Sequence, residues 1–259
     1  MSSAGSPPTP STTRLRHVEG LAWLLWGVAL SALLAVVVWG ASPYARYLHH
    51  ENQPSSAAGQ AEALGLFLVG WTLMMAAMML PSAARLLAAF EQVTLRRAAR
   101  AWLRALVVAG FLGTWLVVGY AFRAGDTAVH AAVDAIEPLE RRPQILGAAA
   151  LVLAGAFQFT SVKHSCLTAC RAPTSFLYRH WHGERPAHEA LTIGAAYGRS
   201  CVGCCWALML VMFGLGLGSV GWMLGLGVVM SIEKGTAVGR RITTPLGVVL
   251  NAAAAWVAA

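Results

Sequence analysis

The chain has 259 residues, of which 57% are hydrophobic and only 12% charged, and its mean hydropathy is +0.60. A soluble domain carries about a quarter charged residues, so the composition excludes an ordinary soluble globule and points to a polytopic membrane protein. The formal net charge of +8 raises nucleic acid as a partner, but the basic residues fall in loops between apolar spans, where membrane topology accounts for them.

The opening MSSAGSPPTPSTTRL is small, polar and Pro-rich, which predicts a disordered tail over residues 1–17. A single transmembrane helical domain is expected over 18–259. The first apolar run is too long for a signal-peptide core and no small-residue cleavage site follows it, so it reads as a retained helix. That first span, about residues 20–40, has Trp23, Trp26 and Trp39 toward its ends as interfacial anchors. A polar loop over 42–62 leads to span two, about 63–84, which holds WTLMMAAMMLP. Pro81 is expected to end or kink this helix and to free backbone carbonyls inside the bundle.

An amphipathic connector with five arginines, 85–104, precedes span three, about 105–122. An acidic loop with Asp126, Asp134, Glu137 and Glu140 follows, then span four, about 144–162. Gln158 lies inside span four and is expected to face the bundle. The basic segment KHSCLTACRAPTSFLYRHWHGERPAHE comes next. Span five, 194–216, is GAAYGRSCVGCCWALMLVMFGLG. A Gly-rich turn over 216–221 opens span six, which ends at Ser231-Ile232-Glu233-Lys234, with the last two expected at the membrane boundary. The apolar tail 245–259 is short and interrupted by Asn251. The expected fold class is an all-α polytopic membrane bundle of six to seven transmembrane helices.

Orientation follows from the basic residues. With the N-terminus inside, fifteen Lys and Arg lie on the cytoplasmic side, and only Arg46, Arg123, Arg141 and Arg142 lie outside. The positive-inside rule therefore places the N-terminus in the cytoplasm. All five cysteines then fall at the cytoplasmic level, where thiols stay reduced.

On span five, Cys201, Cys204 and Cys205 stand at i, i+3 and i+4 and share a helix face with Met209 and Met212. Soft sulfur donors select Cu(I), with Zn(II) a second choice at thiolates. Cys166 and Cys170, at i and i+4 in KHSCLTACR, share a face if the helix of span four continues through them. Their positive neighbours Lys163, His164 and Arg171 favour the thiolate that binds metal. Span two adds the i, i+4 pairs Met74/Met78 and Met75/Met79 at the same membrane level. Against this stands the plainer view that Cys and Met are packing residues and that KHSCLTACR is a basic segment meeting anionic headgroups. Gly194 and Gly198 form a small-xxx-small face that lets a neighbouring helix approach. The histidines His180, His182 and His188 show no regular ligand spacing, and no Ser/His/Asp set, phosphate loop or HExxH stands out.

Three strings together, WTLMMAAMMLP (71–81), FQFTSVKHSCLTACRAP (157–173) and CVGCCWALM (201–209), with Glu233-Lys234 beyond them, resemble the DUF2182 family. The likeness covers spans two to six. It implies a predicted metal-binding integral membrane protein, commonly labelled a copper chaperone. In that family a His often stands where this chain has Tyr197.

The expectation is a non-enzymatic inner-membrane protein, multi-pass and with its N-terminus in the cytoplasm. It binds Cu(I), or Zn(II) as second choice, at Cys166, Cys170, Cys201, Cys204 and Cys205, with Met78 and Met79 as auxiliaries. Its partners are the lipid bilayer and a membrane cuproenzyme or copper carrier, not nucleic acid. Two alternatives remain open: a small-substrate transporter or permease, which calls for a polar-lined cavity, and a non-catalytic membrane assembly subunit whose sulfurs only pack.

Overall fold

The computed structural model describes residues 12–42, 56–135, 144–214, 220–236 and 238–258. The expected tail over 1–11, most of the 42–62 loop, Glu137, Glu140, and residues 215–219 of the Gly-rich turn lie outside the described residues. Among the described residues the chain is helical, without strands. The helices are α1 (Thr12–Gly40), α2 (Ala57–Thr94), α3 (Arg100–Asp134), α4 (Gln144–Phe157), α5 (Ser161–Arg171), α6 (Pro173–His180), α7 (Pro186–Gly214), α8 (Val220–Gly235) and α9 (Gly239–Ala258). Helix α1 begins at Thr12, within the segment expected to be a polar tail.

Four helices are long and apolar enough to cross a membrane, those of α1, α2, α3 and α7, and a fifth crossing exists if α4 and α5 count together. The expected count of six to seven is not reached on length and composition. Helix α8 has 16 described residues, short of the roughly 20 a bilayer needs. Helix α9 has 20 residues, but Arg240, Arg241, Thr243, Thr244 and Asn251 dilute its apolar character.

Helix α2 runs for 38 residues with Pro81 inside it, so the proline neither ends the span nor separates it from the arginine connector. The first half of that connector is the last turns of α2. Glu91 there accepts from Arg104 at 3.1 Å, joining the end of α2 to the start of α3.

Span four, expected to be continuous, is broken instead. Helices α4 and α5 meet at 67° across residues 158–160. Thr160 restarts the chain as an N-cap: its hydroxyl accepts from the Lys163 amide at 3.3 Å, satisfying a donor that has no partner in the first turn. Pro173 then opens α6 at its first turn, where a missing N–H costs nothing.

Helix α7 lies at the centre and packs against α3, α4, α5, α6 and α8. Its glycine face meets α3, not the helices of span four. A Cβ on Gly198 would fall 2.9 Å from the Thr114 side chain, and one on Gly194 would collide with the Val107 carbonyl. At the start of α7 the Glu189 carboxylate accepts from the amides of His182, Gly183 and Arg185 at 2.7–2.9 Å. This closes the turn before the helix.

Helices α2 and α7 are antiparallel. Arg97 donates to the Gly183 carbonyl at one end, and Met79 meets Cys201 further along. Helix α8 runs parallel to α2, because Met78 lies against Gly227 and Arg85 donates to the Gly235 carbonyl. Large apolar side chains on α1 and α3, among them Trp23, Leu30, Leu34, Val38 and Val117, point outward and are exposed. A soluble monomer rarely shows such extended apolar faces.

Candidate metal centre

The cysteine triplet of α7 is buried, with Cys201, Cys204 and Cys205 each no more than 1% exposed. Helical spacing sets their side chains side by side, and the Sγ atoms of Cys204 and Cys205 both turn to the Cys201 carbonyl, at 3.1 and 2.8 Å. All five cysteines are free thiols, as expected.

Cys170 joins this group from α5. Its Sγ lies 3.9 Å from Cys204 Sγ, so the helix break does not keep span four away from α7. The break makes the approach possible, since it turns α5 across the bundle toward the cysteines. Tyr197 secures it by donating to the Cys170 carbonyl at 2.9 Å. The position where relatives were expected to carry His is therefore a buried tie between α7 and α5.

Cys166, one turn earlier on α5, is half-buried and sits against Gly203. A Cβ there would lie 2.5 Å from its sulfur. It stands at the rim of the cluster.

The two methionine auxiliaries separate. Met79 turns inward, with its Sδ 3.9 Å from Cys201 Sγ. Met78 turns the other way, toward α8, where its methyl group would be 3.3 Å from a Cβ on Gly227. It lines an apolar cleft of about 430 Å³ with Leu33, Ala77, Pro81 and Leu224. Consecutive residues on a helix point about 100° apart, so one helix cannot aim both at the cysteines. Met75, Met209, Met212 and Met230 are also buried in the surrounding core.

Glu233 and Lys234, expected at the membrane boundary, are both buried within the bundle, 2% and 6% exposed. The Lys234 Nζ lies among the sulfurs, 3.0 Å from Cys201 Sγ, 3.4 Å from Met79 Sδ and 3.9 Å from Cys205 Sγ.

Glu233 engages a different lysine. Lys163, fully buried on α5, places its Nζ 2.9 Å from both carboxylate oxygens. It also donates to Gln158 Oε1. Arg171 donates to the Glu233 backbone carbonyl at 2.7 Å. Lys163, read from sequence as a positive neighbour of the Cys166/Cys170 pair with a headgroup-facing segment as the rival view, is the buried link between α5 and α8. Its spacing gave a usable signal: Lys163 and Leu167 stand one turn apart on α5, with Cys170 close to the next, and all three are buried. The face that carries the inward cysteine also carries the lysine.

Among the described residues no three His, Cys, Asp or Glu side chains stand at the mutual spacing of a metal-ligand set. What the fold assembles is a compact, water-poor pocket of thiols and one thioether from α2, α5 and α7, with an ammonium from α8 between them. Chemically this is a soft donor set, suited to a soft cation and poorly suited to hard ions such as Mg or Ca.

The profile of one family, PpoB2, described as copper chaperone, matches residues 68–257. The chain matches no curated relative and no solved structure. The matched span starts within α2 and runs into the last turn of α9, so it contains every side chain of the pocket.

Proposed function

The chain belongs to the copper chaperone family, and from that premise we propose that it captures Cu(I) inside a membrane-embedded helical bundle and hands it on. The observation that carries this is the convergence of Cys170, Cys201, Cys204 and Met79 from three helices, with Cys205 beside them. Thiolates and a thioether are the donors that Cu(I) favours, and Zn(II) is the second choice. Copper is cargo here, so the pocket has only to take it and release it. The chain carries out no catalytic step, in keeping with a chaperone.

Thiolate ligands must lose their protons as the ion binds, so capture weakens as pH falls. Cys166, half-exposed at the rim, is the entry ligand, and Met78 takes no part. The bundle sits in the inner membrane with its N-terminus and the thiol pocket toward the cytoplasm, as the distribution of Lys and Arg supports. Helices α8 and α9 supply the sixth and seventh crossings as short segments. The recipient is a membrane cuproenzyme or a copper carrier. The likeness to DUF2182 proteins fits the same assignment.

The transporter alternative calls for a polar-lined path between spans. The larger cleft is lined chiefly by apolar side chains, and a smaller one, with Gln60, Arg123 and Thr127, lies toward the end of α2 remote from the sulfurs.

Copper quantification on protein purified without oxygen tests the assignment. The parent should retain Cu(I), and a variant with Cys201, Cys204 and Cys205 all changed to Ser should retain none. Equal copper in the two would refute it.

A further inference from the structure

A lysine buried in an apolar bundle ordinarily pairs with a carboxylate or with backbone carbonyls. Lys234 has a carboxylate as its chain neighbour and does not use it, because Glu233 points about 100° away around the helix and is held by Lys163. Among the described residues no carboxylate pairs with Lys234. Its hydrogen-bonding partners are sulfur atoms, those of Cys201, Met79 and Cys205.

We propose that the Lys234 ammonium holds the place of the copper ion in the sulfur pocket, so that capture and release of Cu(I) are an exchange of one cation for another. The inference rests on the sulfur pocket being the copper site.

Two of the sulfurs the ammonium touches, Cys201 and Met79, belong to the proposed ligand set, and the third, Cys205, adjoins it. A sulfur lone pair engaged by an N–H is not available to a metal. The Nζ distances of 3.0–3.9 Å suit hydrogen bonds. Metal–thiolate bonds are much shorter, about 2.3 Å for zinc. An ion bonded to these sulfurs therefore cannot share the pocket with Nζ where it now stands.

The exchange also limits the change in the pocket's charge: one positive charge enters as one withdraws, and proton release from the thiols accompanies ligation. Each thiol that becomes a ligand gives up its S–H proton as its bond to copper forms, and the sulfurs that Lys234 holds exchange an N–H contact for that bond.

The backbone of α8 is fixed for such a motion. Arg171 holds the Glu233 carbonyl at 2.7 Å and Arg85 holds the Gly235 carbonyl at 2.5 Å. The two carbonyls flanking Lys234 are thus clamped while its four-carbon stem keeps its rotatable bonds. Withdrawal of the ammonium needs side-chain rotation only. Its return supplies the competing cation that loosens copper for hand-over.

The test is Cu(I) competition against a chromogenic chelator, with the full-length protein in detergent under anaerobic conditions. Lys234→Met removes the charge with a side chain one atom shorter, and Lys234→Gln does so at similar length without adding a sulfur. Both should bind Cu(I) about tenfold more tightly or better, since a charged hydrogen-bonding competitor is gone. Both should also release it to the chelator more slowly. Lys234→Arg, which keeps the charge, should stay near the parent.

Affinity in folded Lys234→Met and Lys234→Gln that equals or falls below the parent's would overturn the proposal. A parent that binds no Cu(I) at all would instead remove the copper site itself.

The parent supplies a second measurement that does not depend on the variants folding. Acylation of Lys234 by a small amine-reactive reagent, followed by mass spectrometry, should rise when Cu(I) is loaded. Labelling that stays unchanged or falls would equally overturn the exchange.

Discussion

Changing Lys163 to Met should be among the most damaging single substitutions outside the sulfur pocket. Lys163 is fully buried and its Nζ meets both oxygens of Glu233, whose side chain is 2% exposed. The Arg171 guanidinium nearby is directed at the Glu233 backbone carbonyl and not at the carboxylate. Removing the lysine therefore leaves a buried carboxylate without a cation among the described residues, and Gln158 Oε1 without its donor. Breaking one side of a buried pair typically costs about 3–5 kcal/mol. For chains of this size each kcal/mol moves the melting temperature by about 2–4 °C, which predicts a fall of about 6–20 °C. Replacing both partners, as in Lys163→Met with Glu233→Met, should recover most of the loss, because no unpaired charge remains. Thermal unfolding of the purified protein in one detergent, for the two single variants and the double, reads this directly. Equal melting temperatures for Lys163→Met and the parent, or strictly additive losses in the double variant, would refute the placement of this pair in the interior.

Further outcomes follow from the same geometry. Met79→Leu should weaken Cu(I) retention while Met78→Leu leaves it unchanged, each altering stability by less than about 1.5 kcal/mol because volume is conserved; chelator competition and melting separate the two effects. Gly203→Ala places a Cβ against the Cys166 sulfur, so it should cost about 1–3 kcal/mol as overpacking and lower copper retention by pushing α5 from α7. Tyr197→Phe should cost about 1–3 kcal/mol by leaving the buried Cys170 carbonyl unpaired, with copper stoichiometry unchanged, since the hydroxyl positions Cys170 and is not itself a donor to the ion. A membrane-impermeant thiol reagent should reach Cys166 in inside-out vesicles and not in intact cells; labelling from outside intact cells would reverse the orientation.

Local rules in the sequence carried part of this structure and stopped at identifiable points. The i, i+3, i+4 spacing of Cys201, Cys204 and Cys205 fixes a shared face on any helix, and that face is where the structure has it. Apolar length marked α1, α2, α3 and α7 as helices able to cross a membrane. The break at residues 158–160 was less legible, because QFT contains neither Gly nor Pro. It brings Lys163 to both Gln158 Oε1 and Glu233 inside the bundle, contacts between residues far apart in the chain or across the break. Pro81 does not end α2, since the helix on both sides of it packs well enough to carry the chain through. Met78 and Met79 are chemically equivalent in sequence, and only the positions of α7 and α8 around α2 decide which meets the cysteines. Lys234 was the least legible of all. A lysine at the end of an apolar helix normally reaches for the interface, and its inward turn becomes visible only once three sulfurs from two other helices are in place.

X-ray absorption at the copper edge, on the full-length protein loaded with Cu(I) without oxygen, tests the sulfur pocket most directly. The account predicts a first shell of sulfur alone in the parent, and loss of that signal when Cys201 and Cys204 are both replaced by Ser. A first shell of nitrogen and oxygen, or a sulfur shell that survives the double replacement unchanged, would contradict it.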